Sequence, residues 1–561
     1  MARARPALDP QVDYWFDSWE VFRCCLLRTL MSHRGVPTSE GGAELMPDLA
    51  AGDPDVSPDG LTWTFRLKEG LPYAPPFQDT EIVSTDIVRA LERSALPRAL
   101  RGYTSYYSVI DGFDEFASGK SESISGLGAP DPHTLVVQLR EPVGDLGYRF
   151  TLPASAPIPP GAADGHEDGY GRYLVASGPY MVEGSEQLDF SPPPDEQEPL
   201  SGYTPGMALT LVRNPSWDPA TDDLRPANPN RIELTLGGSA PDAYREMEAG
   251  RTDVVLNGGP PPQAPLDLVA RVSPSRIMQG SRDFVRYVTL NLAVPPFDDV
   301  HVRRALNLAV NKSALQEAFG GPIAAEPAGH VVIDSLTNDL LSSYDPYASP
   351  DHEGDRAAAR REMAASAYDT NADGRCDDPS CRGVEALAPN FAPIPAIARS
   401  IRDDLVAIGI DLDVQLMGGV RLFSVIGDPR RHIPMAIGAA WGKDYLSASN
   451  FILPLFSKAS IGGSNFSLVG ASSLDLRRWG YEITSVPGID DRIARCQALI
   501  GSTQIKCWAD IDVYLTEVVV PWIPLLFEKW VGVVSDRVTR ASFDQLTSLP
   551  ALDRIAVQGS S

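Results

Sequence analysis

The sequence predicts an α/β fold of the mixed α+β kind, divided into more than one domain. Segments in which apolar and polar residues alternate are interleaved with segments whose apolar residues recur every three to four positions. At 561 residues the chain is also too long for one compact core.

The strands come first. Leu61-Thr62-Trp63-Thr64-Phe65-Arg66-Leu67 alternates strictly and follows the turn-forming Pro58-Asp59-Gly60. Leu135, Val137 and Leu139 repeat the pattern, as do Ile232, Leu234 and Leu236. Phe284, Val288, Leu290 and Leu292 mark another strand, with Arg286 breaking the alternation. Among the helices, Asp299 is placed to cap His301–Val310, where Val302, Ala305, Leu306 and Ala309 share one face. Ser84-Thr85-Asp86 precedes a second helix from Ile87. Ile397–Leu405 reads as a third, followed by a strand through Leu412, Val414 and Leu416. The Pro- and Gly-rich stretches 191–195 and 258–262 are expected to be surface loops.

A net charge of −26 repels nucleic acid, so no nucleic-acid partner is expected. No apolar run is long enough to cross a membrane as a helix. The chain has six cysteines. Cys376 and Cys381 lie close together, as do Cys496 and Cys507, and two short disulfide loops suit an exported protein. Adjacent Cys24 and Cys25 sit in an apolar run and are expected to act as small buried residues. Met1-Ala2-Arg3-Ala4-Arg5 leads into no apolar segment, so a signal or lipoprotein leader is expected to have preceded Met1, with a cytoplasmic origin as the competing reading. No His-Glu-x-x-His, Gly-x-Ser-x-Gly or Gly-x4-Gly-Lys-Ser/Thr pattern occurs, and no enzyme is expected.

Several segments in order resemble one family. They are Leu45-Met46-Pro47-Asp48-Leu49-Ala50 with Ser57-Pro58-Asp59-Gly60-Leu61-Thr62-Trp63; Ser84 to Arg93; and Ser177-Gly178-Pro179-Tyr180. Further along come Pro295-Pro296-Phe297-Asp298-Asp299 with Val302-Arg303-Arg304-Ala305-Leu306-Asn307; Trp441-Gly442-Lys443-Asp444-Tyr445; and Pro521-Trp522-Ile523-Pro524-Leu525. Together they are similar to the family 5 solute-binding proteins of ABC importers, which bind dipeptides, oligopeptides or nickel. The resemblance implies a periplasmic-binding-protein-like fold of two lobes hinged by two crossing segments, with an extra subdomain (cluster C type) and a ligand held between the lobes. It places lobe I at 1–50, 171–285 and 520–561, the subdomain at 51–170, and lobe II at 286–519. It implies an extracytoplasmic monomer, in the periplasm or on the cell surface and lipid-anchored in some arrangements. This monomer would bind a short peptide and deliver it to the ABC permease. An oligosaccharide or other non-peptide solute is the alternative ligand, and a regulatory relative that no longer transports is a third reading.

By resemblance, Asp444 is the residue that pairs with the peptide's α-ammonium, because a carboxylate facing a ligand cation forms a charge-assisted hydrogen bond. A purely structural role is the alternative. Lys443 stands where relatives have Ala and would weaken this role if it neutralised Asp444. Trp441, Tyr445, Asn465 and Phe466 complete the candidate ligand set, with the lobe core as their alternative. The aromatic runs Tyr14, Trp15, Trp19 and Tyr103, Tyr106, Tyr107 offer stacking surfaces or ordinary packing.

A second candidate site stands apart from the family pattern. Asp369-Thr370-Asn371-Ala372-Asp373-Gly374-Arg375-Cys376-Asp377-Asp378 places oxygen-bearing residues at calcium-loop positions one, three and five, with Gly at six. Asp369, Asn371, Asp373, the Arg375 carbonyl, and Asp377 or Asp378 would hold a structural Ca2+. Ser380 replaces the usual Glu at position twelve, and a plain acidic turn is the alternative.

Overall fold

The computed structural model describes residues 8–96, 101–162, 170–172, 174–192, 196, 200–256, 266, 269–271 and 273–558. The expected loop at 258–262, most of that at 191–195, and the segment Met1–Arg5 lie outside them. The chain divides into two units, one formed by 1–280 with 530–561 and the other by 281–529, against an expected second lobe of 286–519. It passes from one to the other twice, once inside the strand Ile277–Leu290 and once inside the strand Trp522–Val533.

The first unit holds two antiparallel sheets of four strands. One contains Asp55–Val56, Thr62–Arg66, Thr134–Gln138 and Leu127–Asp131, in that spatial order. Trp63, Phe65, Leu135 and Val137 are its buried set, as the alternation requires. The other contains Arg231–Thr235, Ala208–Arg213 and Tyr180–Val182, with Tyr203–Thr204 at the side. The helix Ser84–Ser94 begins three residues before Ile87, so Asp86 lies in its first turn and accepts from the Val83 amide at 3.2 Å. Gly178 is required by a close approach: a Cβ there would meet the Cys25 carbonyl oxygen at 2.5 Å. Tyr14, Trp19 and Tyr103 form an aromatic cluster in which the Trp19 indole N–H donates to the Tyr103 hydroxyl at 2.8 Å, while Trp15 is 53% exposed.

Charges buried in this unit are multiply paired. Asp48 accepts from Arg28 Nε and Arg225 Nη2, each at 2.7 Å, and Arg225 also pairs with Asp222 at 3.1 Å. Burial alone would raise the Asp48 pKa, but the charges of Arg225 and Arg28 hold it well below the usual carboxylate range. Arg23 pairs with Asp544, with Glu20 at 3.3 Å and with Asp553 at 3.1 Å, joining the two ends of the chain.

The second unit is organised on a six-stranded mixed sheet in the order Ala325–Pro327, Trp522–Val533, Ile277–Leu290, Met435–Gly442, Val384–Pro389, Leu412–Met417. The last two strands are parallel and are joined by the helix Ile394–Leu405, which buries Ile397, Ala398, Ile401 and Leu405. Asp299 caps Val300–Ala309 by accepting from the His301 amide at 2.8 Å. Arg286 breaks the strand's alternation because its guanidinium is used internally, donating to the Gly438 carbonyl at 2.9 Å and pairing with Glu528. His330 is buried between Asp512, at 2.7 Å, and Asp334, at 3.3 Å. Burial would lower its pKa, but the Asp512 charge and the hydrogen bonds of Asp334 and Asp512 raise it to about 10.

All six cysteines are paired. Cys376–Cys381 and Cys496–Cys507 close the two expected loops. Cys24 and Cys25 correct the expectation of separate buried thiols, because they are bonded to each other within the turn Phe22–Leu26.

Candidate ligand-binding site

The candidate residues lie along a strand, a turn and a helix of the second unit. Strand Met435–Gly442 is held antiparallel to Ile277–Leu290, from Phe284 opposite Gly442 to Leu290 opposite Met435. It ends at Gly442, the chain turns through residues 443–448, and the helix Ser449–Phe456 follows. Each residue of the turn is held differently.

Lys443 is fully buried and its ammonium lies 2.6 Å from Asp283 Oδ2, also at 0% exposure. Its amide donates to the Asp283 carbonyl at 3.2 Å. Asp444, the next residue, is half-buried. Its amide donates to Asn450 Oδ1 at 2.7 Å, and Asn450 Nδ2 lies 3.4 Å from Asp444 Oδ2. The Asn450 carbonyl accepts from the Trp441 indole at 3.2 Å. One asparagine thus fixes both the carboxylate and the neighbouring indole. Tyr445 is buried, with its hydroxyl 3.4 Å from Ser449 Oγ.

Asn465 and Phe466 lie apart from this cluster in their bonding. Asn465 Nδ2 donates to the carbonyls of Ser457 and Val469, both at 2.9 Å, and its Oδ1 accepts from the Val469 amide at 3.2 Å. That amide is fully occupied in closing its own loop. Phe466 packs on the core of Leu387, Leu422 and Ile426 and stacks with Phe423 at 6.1 Å. The geometry therefore gathers Trp441, Asp444 and Asn450. Sequence reasoning missed Asn450 and Asp283. A polar Asn just inside the helix start, six residues after Asp444, is the signal for the first. Asp283 left none, being 160 positions away from its partner.

In the loop 369–378, Asp369 accepts from the amides of Asp373, Gly374 and Arg375 at 2.7–3.3 Å. Asn371 Oδ1 accepts from the Asp373 amide and Asp373 Oδ1 from the Arg375 amide, each at 2.9 Å. Gly374 supplies the sharp turn with φ +84°. Asp377 is held by Thr370 and Asp378 by the Ser380 amide. Among the described residues, the loop's carboxylates do not bring three ligand atoms within 4.8 Å of one another. Glu20, Cys24 and Asp553 do so in the first unit, where Cys24 is disulfide-bonded and Arg23 pairs with both carboxylates.

No helix of the described residues is long and apolar enough to cross a membrane. The chain is 26% identical over 490 residues to the glutathione-binding protein GsiB of Salmonella paratyphi A, an alignment covering 86% of this chain and 81% of that one. It matches the solved structure of the clavulanic acid biosynthesis oligopeptide binding protein 2 with a TM-score of 0.78 at 27% identity, over 98% of this chain and 93% of the other. The murein tripeptide binding protein MppA, in its unliganded open form, matches with a TM-score of 0.75 at 18% identity, over 99% and 96% of the two chains, a likeness of fold. The fold expected from the motifs, that of the two-lobed periplasmic binding proteins, is shared with these structures, and all three relatives are binding proteins. Residues 44–463 match the model for bacterial extracellular solute-binding proteins, family 5 middle, and the chain belongs to that family.

Proposed function

We propose that this protein is the extracytoplasmic binding component of an ABC importer, that its ligand is a short peptide, and that Asp444 receives the ligand's α-ammonium. The observation that carries this reading is the Asp444 carboxylate itself, left half-buried while Asn450 fixes it from the backbone and from the side chain. A carboxylate oriented in advance loses little freedom when a cation arrives, so more of the ion pair's attraction appears as affinity. Trp441, fixed by the same asparagine, supplies apolar area beside it. Support for a peptide comes from relatives whose names specify glutathione or an oligopeptide. Delivery to a membrane permease and a monomeric state go with this reading, and a lipid anchor is compatible with it.

The test is calorimetric titration with Ala-Ala-Ala and with glutathione. Asp444→Ala is expected to cost at least ~2 kcal/mol with a free-amine ligand. Unchanged affinity would return Asp444 to the scaffold and favour a non-peptide solute.

A structural Ca2+ in the 369–378 loop is a second, separate proposal. Asp369, Asn371 and Asp373 bend around the loop's amides as a calcium loop does, with the Arg375 carbonyl and Asp377 or Asp378 completing the oxygen set. The Cys376–Cys381 bond closes the loop where a second helix is absent.

A further inference from the structure

Three carboxyl groups surround a single guanidinium in the interior of the first unit. Arg23, in the turn Phe22–Leu26, pairs with Glu20 at 3.3 Å, with Asp553 at 3.1 Å and with Asp544, and all three carboxyls are at 0% exposure. The other cations that act on Asp553 are committed elsewhere. Arg554 donates to the Leu224 carbonyl at 2.9 Å, and Arg225 pairs with Asp48 and Asp222. The place a metal ion would take among Glu20, Cys24 and Asp553 is closed to it, because Arg23 bridges the two carboxylates and Cys24 is bonded to Cys25. Three negative charges would therefore face one positive charge, and charge left unbalanced away from water is costly.

The hydrogen bonds show how the balance is restored. Glu20 and Asp544 are bonded to each other. Two ionised carboxylates are both acceptors, so a hydrogen bond between them requires one to carry a proton. Asp544 Oδ1 accepts from the amides of Leu546 at 2.8 Å and Thr547 at 3.4 Å. Glu20 accepts from the Leu552 amide at 2.9 Å and from the Thr547 hydroxyl at 2.8 Å. Burial, together with the charge and hydrogen bond of Asp544, pushes the Glu20 carboxyl well above the usual carboxylate range against the pull of Arg23.

We propose that Glu20 and Asp544 hold one proton between them, and that this proton makes the seam between the helix Phe16–Val21 and the carboxyl-terminal segment a pH-sensitive clasp. While the proton is present, the segment that carries Thr547 and Leu552 stays bonded to Glu20. Once it is lost, two carboxylates repel each other in the interior and those bonds loosen. The folded carboxyl holds its proton more tightly than the unfolded one, whose pKa is about 4.3. Its contribution is complete below that value and is lost as pH rises toward the folded pKa, by up to about tenfold per pH unit.

The experiment follows the full chain and E20Q from about pH 5 to pH 8 by hydrogen exchange at the Leu546, Thr547 and Leu552 amides, corrected for the intrinsic pH dependence of exchange. Glutamine keeps the shape, donates to Asp544 and accepts from Leu552, yet has no proton to lose. Wild-type protection is expected to fall about tenfold or more across this range, and that of E20Q to stay within roughly threefold. Infrared spectroscopy near neutral pH is expected to show a protonated-carboxyl band in the wild type that is weaker in E20Q. If E20Q does not fold, D544N replaces it: its amide donates to an ionised Glu20, and it is expected to respond as E20Q does. Wild-type protection that does not fall overturns the inference, and so does a wild type without a protonated carboxyl near neutral pH. A variant whose protection falls as steeply as wild type, or whose carboxyl band is unchanged, overturns it equally.

Discussion

Asp48 and Asp444 are two carboxylates beside cationic residues, and the structure treats them in opposite ways. Asp48 lies in the first unit at 0% exposure, with one oxygen on Arg28, the other on Arg225, and the Thr29 amide also donating to it at 3.3 Å. Asp444 lies in the second unit, half-buried, and the cation beside it in sequence is engaged by Asp283. The difference is one of burial. A fully buried carboxylate is tolerated when protein groups saturate its hydrogen-bonding capacity, whereas a half-buried one keeps part of its surface at solvent. Proximity of opposite charges in the sequence therefore says little about which role a residue has; where each neighbouring charge is directed decides it.

The comparison can be broken most forcefully at Arg225. Arg225→Ala leaves Asp48 and Asp222 short of a partner in the interior and is expected to cost roughly 3–5 kcal/mol of stability, read from the urea transition. A cost near zero would mean that the network is not what holds that region. Saturation is also tested in the second unit by His330. Its folded pKa of about 10 lies above its unfolded value. Its contribution is therefore complete below about pH 6.5 and is lost as pH rises through 10, at up to ~1.4 kcal/mol per pH unit. His330→Gln is expected to flatten the stability profile across that window, and a profile identical to wild type would exclude His330 as its source. At Asp444 the expectation is reversed. Asp444→Ala, which weakens binding as described above, is expected to change stability by less than about 0.5 kcal/mol, and a larger loss would place Asp444 in the same class as Asp48. The smallest effect belongs to the 369–378 loop. Removing 1 mM Ca2+ with a chelator is expected to lower stability by ~0.4–1.4 kcal/mol for a weak extracellular-type site. An unchanged melting temperature would leave the loop as an acidic turn.

Much of the fold was legible in the sequence because it is written locally. The alternation at 61–67 became the strand Thr62–Arg66, that at 135–139 became Thr134–Gln138, and the Asp299 cap formed as its spacing required. Whether Arg286 would disturb its strand was also visible, although not why, since its partners Gly438 and Glu528 lie 152 and 242 positions away. The candidate site was legible only in part. Trp441 and Asp444 could be picked out by motif. Asn465 shows how a motif position can satisfy its own loop, since its amide closes the turn between Ser457 and Val469. The Lys443–Asp283 pair could not be read at all: a buried ion pair leaves no periodicity, and its partner is set by strand register. The Cys24–Cys25 bond escaped for another reason. Adjacent cysteines in an apolar run look alike as thiols or as a disulfide, and only the local backbone separates the two.

The second unit is one uninterrupted stretch of chain, whereas the first is completed only by residues 530–561. Arg23 must therefore wait for Asp553, 530 residues later, an interval of about 30–100 s at the pace of synthesis. Residues 281–529 emerge whole during that interval, so the unit that begins first is finished last. The pairs that Arg23 makes with Asp544 and Asp553 form only once residues 530–561 are in place, which makes that segment the closing element of the first unit's assembly.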